Sequence, residues 1–311
     1  MANAFIKAER IVNTMLGVLE RELVLPRLVW RDAGGDFAGA KNDTITIRLP
    51  AYTIARTRTL RAGTPITVDE LDETSVDVTL DTDIYKAIGV SLEELTLDVE
   101  NFERQVAVPA TNAVARKVED VLAVEMSGAT YEVELPITEA DPYLDLVDAR
   151  IALNDASVPM GGRFLAVGSA VEAAILKSDR LSKFDQSGSD SALREATIGR
   201  IAGFTAVSVP GLDPDVAIAA HQTAFVLSLK APTVPQGAVT GASRSANGVA
   251  MTAIQDYDFI NTKDRFAAHV FAGTGVVEDK GTIDANGKFQ PTEDGDDPAI
   301  LVRAVKLELG S

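Results

Sequence analysis

The sequence predicts an α+β chain in which an amphipathic N-terminal helix, a long two-stranded hairpin and a long helix precede a mixed α/β lobe. Three observations carry this. Apolar residues recur at helical spacing from Ala4 to Trp30 and again from Ser91 to Met126. The pattern switches to period two on both sides of a polar tip, Ala55 to Pro65. Beyond Pro142, helical runs alternate with short apolar ones.

In the first helix the stripe is Phe5, Ile11, Val12, Met15, Leu16, Leu19 and Leu23, and Pro26 ends it because proline has no amide to continue the ladder. Asp32 to Ala40 holds Gly34, Gly35 and Gly39 and reads as a flexible linker. Ile45 and Ile47 then alternate with Thr44, Thr46 and Arg48 as in a half-buried strand, which Tyr52 to Ile54 extend past Pro50. Val76, Val78, Leu80 and Ile84 alternate in the same way with Asp77, Thr79, Asp81 and Asp83, giving the partner strand. A hairpin with so few large apolar residues at its tip is not stable alone and should lie against another surface.

Charge on this hairpin is segregated. Residues 44–68 carry Arg48, Arg56, Arg58 and Arg61 and no acid, whereas residues 69–83 carry Asp69, Glu70, Asp72, Glu73, Asp77, Asp81 and Asp83 and no base. Two readings stand side by side: local pairing within the hairpin, each exposed pair worth about 0.2–1 kcal/mol, or a basic tip that reaches an acidic face of a neighbouring subunit. The second makes Arg56, Arg58 and Arg61 the candidate contact residues.

Ser91 with Glu94 matches a capping box at the start of the long helix, whose stripe is Val99, Phe102, Val106, Ala110, Ala113, Val114, Val121 and Leu122. Pro109 inside it should kink the helix or divide it in two. The stretch from Gly128 to Pro142 breaks the pattern. Tyr143 to Asn154 reads as a helix, Arg163 to Val167 as a strand, and Ser169 to Lys177 as a helix capped by Ser169. Asp185 to Ala192 is a polar loop. Ala202 to Val209 is a strand closed by Pro210 and Gly211, and Pro232 to Gly248, rich in Gly, Ser and Pro, is a long mobile connection or a small excursion. Strands at Ala267 to Val277 and Ala299 to Leu309 flank an Asn286-Gly287 turn.

Composition excludes whole classes of chemistry. The 311 residues include no cysteine, so disulfides, thiolate nucleophiles and Cys-based zinc sites are ruled out. A net charge of −17 repels phosphate backbones, which disfavours sequence-specific nucleic-acid binding. No run approaches the roughly 18 apolar residues of a membrane span, and the early apolar segment is broken by Glu20, Arg21 and Glu22. An intracellular chain without a secretory signal is the expectation. His221 and His269 stand far apart with no second ligand at helical or strand spacing, so neither reads as a metal ligand or catalytic base. Gly168-Ser169 lacks the flanking pattern of a nucleophile elbow, and Gly273-Thr-Gly275 lacks the third glycine of a dinucleotide fingerprint. Asp284-Ala-Asn286-Gly287 reads as a turn and not a calcium loop, because Lys288 takes the next ligand position. No catalytic residue, cofactor or metal site is assigned.

One succession of segments is more specific. Asp148-Ala-Arg150-Ile-Ala-Leu-Asn154, Val158-Pro159, Arg163-Phe-Leu-Ala-Val167, Ile198-Gly199-Arg200-Ile-Ala-Gly203-Phe204, Ala231-Pro232 through Pro235-Gln-Gly237, and Gln255-Asp256-Tyr257-Asp258 occur in this order. The series resembles the coat proteins of short-tailed bacteriophages. The resemblance implies the major capsid fold that tailed phages share with herpesviruses and encapsulin nanocompartments. Its divisions here would be an N-terminal arm and linker (1–40), an extended hairpin loop (41–90), a peripheral domain with a spine helix (91–142), an axial domain (143–278), and C-terminal strands returning to the core (279–311).

The implied function is an icosahedral head shell around double-stranded DNA, in the virion, assembled in the host cytoplasm. Implied partners are copies of the chain as hexamers and pentamers, with scaffolding, portal and decoration proteins. Some relatives crosslink a loop lysine to an asparagine; here the tip has arginines only and the nearest lysines, Lys41 and Lys86, lie at the hairpin's base, so no crosslink is expected. Pro232 to Gly248 is too short for the extra domain some relatives insert. The alternatives are an encapsulin-like compartment and a soluble acidic enzyme of unknown reaction.

Overall fold

The structure is a computed structural model that describes residues 8–31, 44–48, 57–60, 65–66, 68, 75–91, 93–94, 101–178, 199–246, 248–284, 287–291 and 298–310. Its helices are α1 (Ala8–Glu22), α2 (Val108–Gly128), α3 (Pro142–Asp155) and α4 (Ser169–Lys177). The first eight strands are β1 (Thr44–Arg48), β2 (Ser75–Thr79), β3 (Thr82–Ser91), β4 (Glu134–Ile137), β5 (Arg163–Val167), β6 (Arg200–Ile201), β7 (Phe204–Ser208) and β8 (Val216–His221). The remainder are β9 (Phe225–Lys230), β10 (Thr240–Ala246), β11 (Val249–Asp258), β12 (Lys263–Val276), β13 (Asp279–Ile283), β14 (Phe289–Pro291), β15 (Ala299–Ile300) and β16 (Ala304–Leu309). The chain divides into two compact units, one of Met1–Ile45, Val78–Glu125 and Phe225–Gly275, the other of Thr46–Asp77, Met126–Ala224 and Val276–Ser311.

The first unit is built on an antiparallel sheet in the order β10-β11-β12-β3, with β9 also paired to β12. The arm helix α1 lies on β10 and β11; of the apolar stripe, Val12, Met15, Leu16, Leu19 and, just past the helix, Leu23 are buried, Ile11 is half-buried, and Phe5 lies outside the described residues. Its end is fixed by Glu119 on α2, whose Oε1 accepts the amides of Val24 at 2.6 Å and Leu25 at 3.2 Å. Trp30 then bridges to Val226, its amide donating to Phe225 and its carbonyl accepting from Leu227.

The hydrogen bonds of the expected Ser91/Glu94 capping box are present, while residues 95–100, which would continue the helix from it, lie outside the described residues. The Glu94 carboxylate accepts the Ser91 amide at 2.8 Å and hydroxyl at 2.9 Å, and Ser91 Oγ accepts the Glu94 amide at 3.2 Å. Ser91 is at the same time the last residue of β3. Ahead of α2 the chain makes a π-helical turn, Glu103–Ala107, with the Val108 amide reaching back to Glu103. Pro109 follows directly. A residue without an N–H cannot close the α-helical bond to residue i−4, and the wider turn before it is where the two helical geometries meet.

The second unit is organised by a mixed sheet in the order β4-β16-β8-β5-β7-β6. β16 runs parallel to β4 and antiparallel to β8, and β5 runs parallel to β7 and antiparallel to β8. β5 is buried at every position, as a central strand covered on both faces must be. Leu146, Ala149 and Leu153 of α3 and Val171 and Ile175 of α4 complete its core. α3 ends in a Schellman motif: the Val158 amide bonds the Leu153 carbonyl at 3.0 Å and the Ser157 amide bonds Asn154 at 2.9 Å, with Ser157 left-handed at φ 57°. Arg163 then closes the connection, donating from Nε to Pro159 at 2.9 Å and from Nη2 to Val158 at 2.6 Å.

Several expected elements differ. The strand read from Val76 to Ile84 is interrupted at Leu80-Asp81: β2 pairs with β1, while β3 joins the larger sheet through β12, with Ile84 opposite Val270. Ser169 does not cap α4. Gly168 holds that position, and the amides of Ala170 and Val171 are satisfied by the carbonyl of Pro214. A Cβ at Gly168 would lie 2.1 Å from the Asp213 carbonyl oxygen, so the close approach requires glycine. The strand read at 202–209 is β7, entered from β6 by a tight turn at Ala202 and Gly203, both at positive φ. Pro232 to Gly248 is not one long connection, since Thr240–Ala246 forms the strand β10 on β11. Ala299 to Leu309 divides into β15 and β16, and Gly287 turns β13 into β14. Asn286, the Asp185 to Ala192 loop, and the extension at Tyr52 to Ile54 lie outside the described residues.

Candidate functional site

The candidate site is the hairpin loop. Its stem is the two-stranded sheet of β1 and β2, joined also through side chains: the Thr44 and Thr79 hydroxyls lie 2.8 Å apart, and Thr46 donates to Asp77 at 2.7 Å. Threonine suits a strand whose outer face is wet, since its branched Cβ fits the pleat and its hydroxyl supplies cross-strand bonds.

Of the three tip arginines, Arg58 is described and is exposed. Arg56 and Arg61 lie outside the described residues. Asp77, Asp81 and Asp83 are exposed on the acidic half. Asp81 accepts the Thr82 hydroxyl at 2.9 Å, and Asp83 faces His269 Nδ1 at 3.3 Å.

Three apolar residues of the loop were missed as functional candidates. Leu60, Ile66 and Val68 are 89%, 72% and 89% exposed. Large aliphatic side chains this open on one loop make it a candidate contact surface. Their signal was present in the sequence as an apolar Leu60 between Arg58 and Arg61 and an alternating Ile66-Thr67-Val68, but it reads equally as a strand continuing into a core.

The two histidines have structural surroundings. His269 stacks on Tyr85 with ring centroids 5.5 Å apart. His221 is buried, and its Nδ1 accepts the Thr223 amide at 3.3 Å and lies 2.8 Å from the Thr223 hydroxyl. Thr223 Oγ1 also accepts from Arg303 Nη1, and Arg303 grips Asp279 through two further bonds of 2.6 and 2.5 Å. Burial holds the His221 ring below the usual histidine range, and the positive charges of Arg303 and Arg163 add to this. Among the described residues no group of three or more His, Asp or Glu is placed to hold a metal ion, and no helix is long and apolar enough to cross a membrane.

No family model matches the sequence, and neither does any curated protein. Solved structures do match. A chain from Mycobacterium phage Che8 aligns with a TM-score of 0.61 at 18% identity, over 92% of this chain and 90% of that one. A chain from the asymmetric unit of the bacteriophage PhiM1 mature capsid aligns with a TM-score of 0.54 at 12% identity, over 86% and 82%. A virus-like particle from Pyrococcus furiosus gives a TM-score of 0.50 at 12% identity, over 96% and 98%. With its arm helix, hairpin loop, long helix and mixed α/β lobe, this α+β chain has the fold of tailed-phage major capsid proteins.

Proposed function

We propose that the chain is the major capsid protein of a tailed phage, the self-assembling subunit of an icosahedral head shell that encloses the double-stranded DNA genome. The observation that carries this is the extent of the alignment with the PhiM1 mature capsid, more than four-fifths of both chains. The likeness is of a whole subunit and not of one motif.

In this reading the arm (1–40), hairpin loop (41–90), peripheral domain (91–142), axial domain (143–278) and C-terminal strands (279–311) tile a closed surface as hexamers and pentamers. Scaffolding and portal proteins, and a decoration protein, are its partners during assembly in the host cytoplasm. Flexible loops let one subunit fit several slightly different environments while packed cores stay rigid. Arg56, Arg58 and Arg61 dock the loop on an acidic surface of an adjacent subunit, and the exposed Leu60, Ile66 and Val68 support the loop as a contact surface. The net charge of −17 suits a shell that releases its genome, since acidic walls do not hold phosphates. The task is structural and not catalytic.

Electron microscopy of the purified protein, with and without a scaffolding protein, tests the proposal. Closed icosahedral shells are expected, and a persistently small monodisperse oligomer overturns it. The second reading is an encapsulin-like compartment with protein cargo, favoured by the near end-to-end alignment with the Pyrococcus furiosus particle. Nuclease-protected DNA in native particles selects the phage head.

A further inference from the structure

The turn between β11 and β12 is built to hold its shape. Asp258 Oδ1 accepts the amides of Ile260 at 2.9 Å and Asn261 at 3.3 Å, and Oδ2 accepts the Asn261 side-chain amide at 2.9 Å. Thr262 closes the turn in the left-handed region at φ 48°. Across the strands Arg265 makes two bonds of 2.8 Å to Asp256 and lies 3.5 Å from Asp258. The donors from Asn261 and Ile260 hold the Asp258 carboxyl below the usual carboxylate range.

What this rigid turn presents is apolar. Phe259 and Ile260 are 84% and 92% exposed, and Phe259 rests edge-on against Tyr257 with ring centroids 4.8 Å apart. Asp258 and Asn261 satisfy the turn's polar groups locally, so the tip carries two large side chains that stay mostly in water, Phe259 touching Tyr257 at its edge. Such residues, held in place in advance, lose little freedom on binding and serve as anchors.

Beside the tip lies a hollow of about 270 Å³. Ala87 and Gly89 of β3 form its small-residue floor, with Gly89 directly opposite Arg265 and Ala87 opposite Ala267 in the strand register. Ile88, Lys263, Arg265, Asp258 and Asn261 line the rest. The volume is below the roughly 300–1,000 Å³ of small-molecule pockets and suits one or two side chains. The charges around it are balanced, because Arg265 is already engaged by Asp256 and Asp258. In a chain of net charge −17, a locally neutralised surface is where two copies can approach without mutual repulsion.

We infer that Phe259 and Ile260 of one copy insert into the hollow over Ala87 and Gly89 of a neighbouring copy, so that each subunit offers both knob and socket. Each copy offers one knob and one socket, so the contact builds either a two-fold pair that exchanges both or a head-to-tail ring of copies around an axis. The inference rests on the chain assembling as proposed above.

The absence of cysteine makes the test clean, since introduced thiols are the only ones present. Ile260→Cys protein is co-assembled with Ala87→Cys protein and oxidised. A disulfide needs the two Cβ atoms within about 4.5 Å, so a mixed dimer on a non-reducing gel is the expected result. Shells that form without this link, or that link only position 260 to itself, overturn the contact while leaving the shell function standing. Failure of the unmodified chain to form shells overturns the reading beneath it and the contact with it. The double variant Phe259→Ala/Ile260→Ala should fold as the parent does, because both side chains are exposed, yet require on the order of tenfold more protein to assemble. Assembly at the parent concentration counts against the knob.

Discussion

Arg150, on α3, donates from Nη1 to the carbonyl of Ala202 at 3.1 Å and lies over the turn that Ala202 and Gly203 make between β6 and β7. Two segments 52 residues apart in sequence are joined by this bond. Gly203 has φ 93°, and a Cβ there would come within 2.9 Å of Arg150 Nη1. Gly203→Ala therefore meets backbone strain and a displaced guanidinium together, and should destabilise the subunit by about 1–3 kcal/mol. Arg150→Ala should cost about 1 kcal/mol through the lost hydrogen bond. Urea unfolding of unassembled subunits measures both, and a Gly203→Ala midpoint equal to the parent's refutes the close-packing account.

Glu119 is the only described side chain that accepts from both Val24 and Leu25, where the chain leaves α1. Glu119→Ala leaves an exposed and a part-buried amide at a helix end without these acceptors, which costs about 0.5–1.5 kcal/mol because water can reach them. The loss should be local. Hydrogen exchange at the Val24 and Leu25 amides is expected to quicken while that of β5 stays unchanged.

His221 accepts through Nδ1 from the Thr223 amide, and this requires the neutral ring. Its proton affinity is lowered in the folded state by burial, so the unfolded chain binds more protons once the pH falls below about 6.5. The stability contribution is complete above that value and is lost as the pH drops from there through the depressed folded pKa. Thermal unfolding at pH 7 and pH 5.5 should show a larger drop for the parent than for His221→Gln. Equal drops would assign the acid sensitivity to carboxylates instead.

The hairpin tip makes a salt-dependent prediction. Charge reversal at Arg56, Arg58 and Arg61 together should block or greatly slow shell formation at physiological ionic strength, where exposed charges act within about 8 Å. Raising the salt should weaken parent assembly in the same direction. Light-scattering assembly kinetics that are unchanged in the triple variant remove the basic tip from the mechanism. Leu60→Ser separates the apolar contribution, because it leaves the arginines and the net charge of the tip unchanged.

The landmark segments of the second half acquire physical reasons in the fold. Asn154 and Val158 are the hydrogen-bonding ends of a Schellman motif, and Arg163 ties off the carbonyls of Val158 and Pro159. Arg150 reaches the Ala202-Gly203 turn, and Asp256 and Asp258 brace the β11–β12 turn. Arg150, Arg163, Asp256 and Asp258 act through their side chains, which ties their identity to the local geometry, whereas Asn154 and Val158 act through their backbone.

Other elements were not readable. In β10 only Ala242 is buried, so an edge strand built from Thr, Gly, Ser and Arg shows no alternation and passes for a loop. The break at Leu80-Asp81 is silent because the period-two pattern runs unbroken from β2 to β3 although the two strands join different sheets. Ser169 has the spacing of a cap, but the carbonyl of the sequence-distant Pro214 already meets the amides it would serve.

By itself the sequence determined the arm helix, the long helix, the segregated charge of the hairpin, the buried strand Arg163–Val167 and the absence of thiol chemistry. These follow from periodicity and composition, which each segment carries within its own length. Only the tertiary structure decided which strands share a sheet, which carbonyls satisfy which helix ends, and that Phe259 and Ile260 stand in water beside a small-residue hollow. Those depend on what distant segments leave unburied or unbonded, a property of the packed chain that no local window contains.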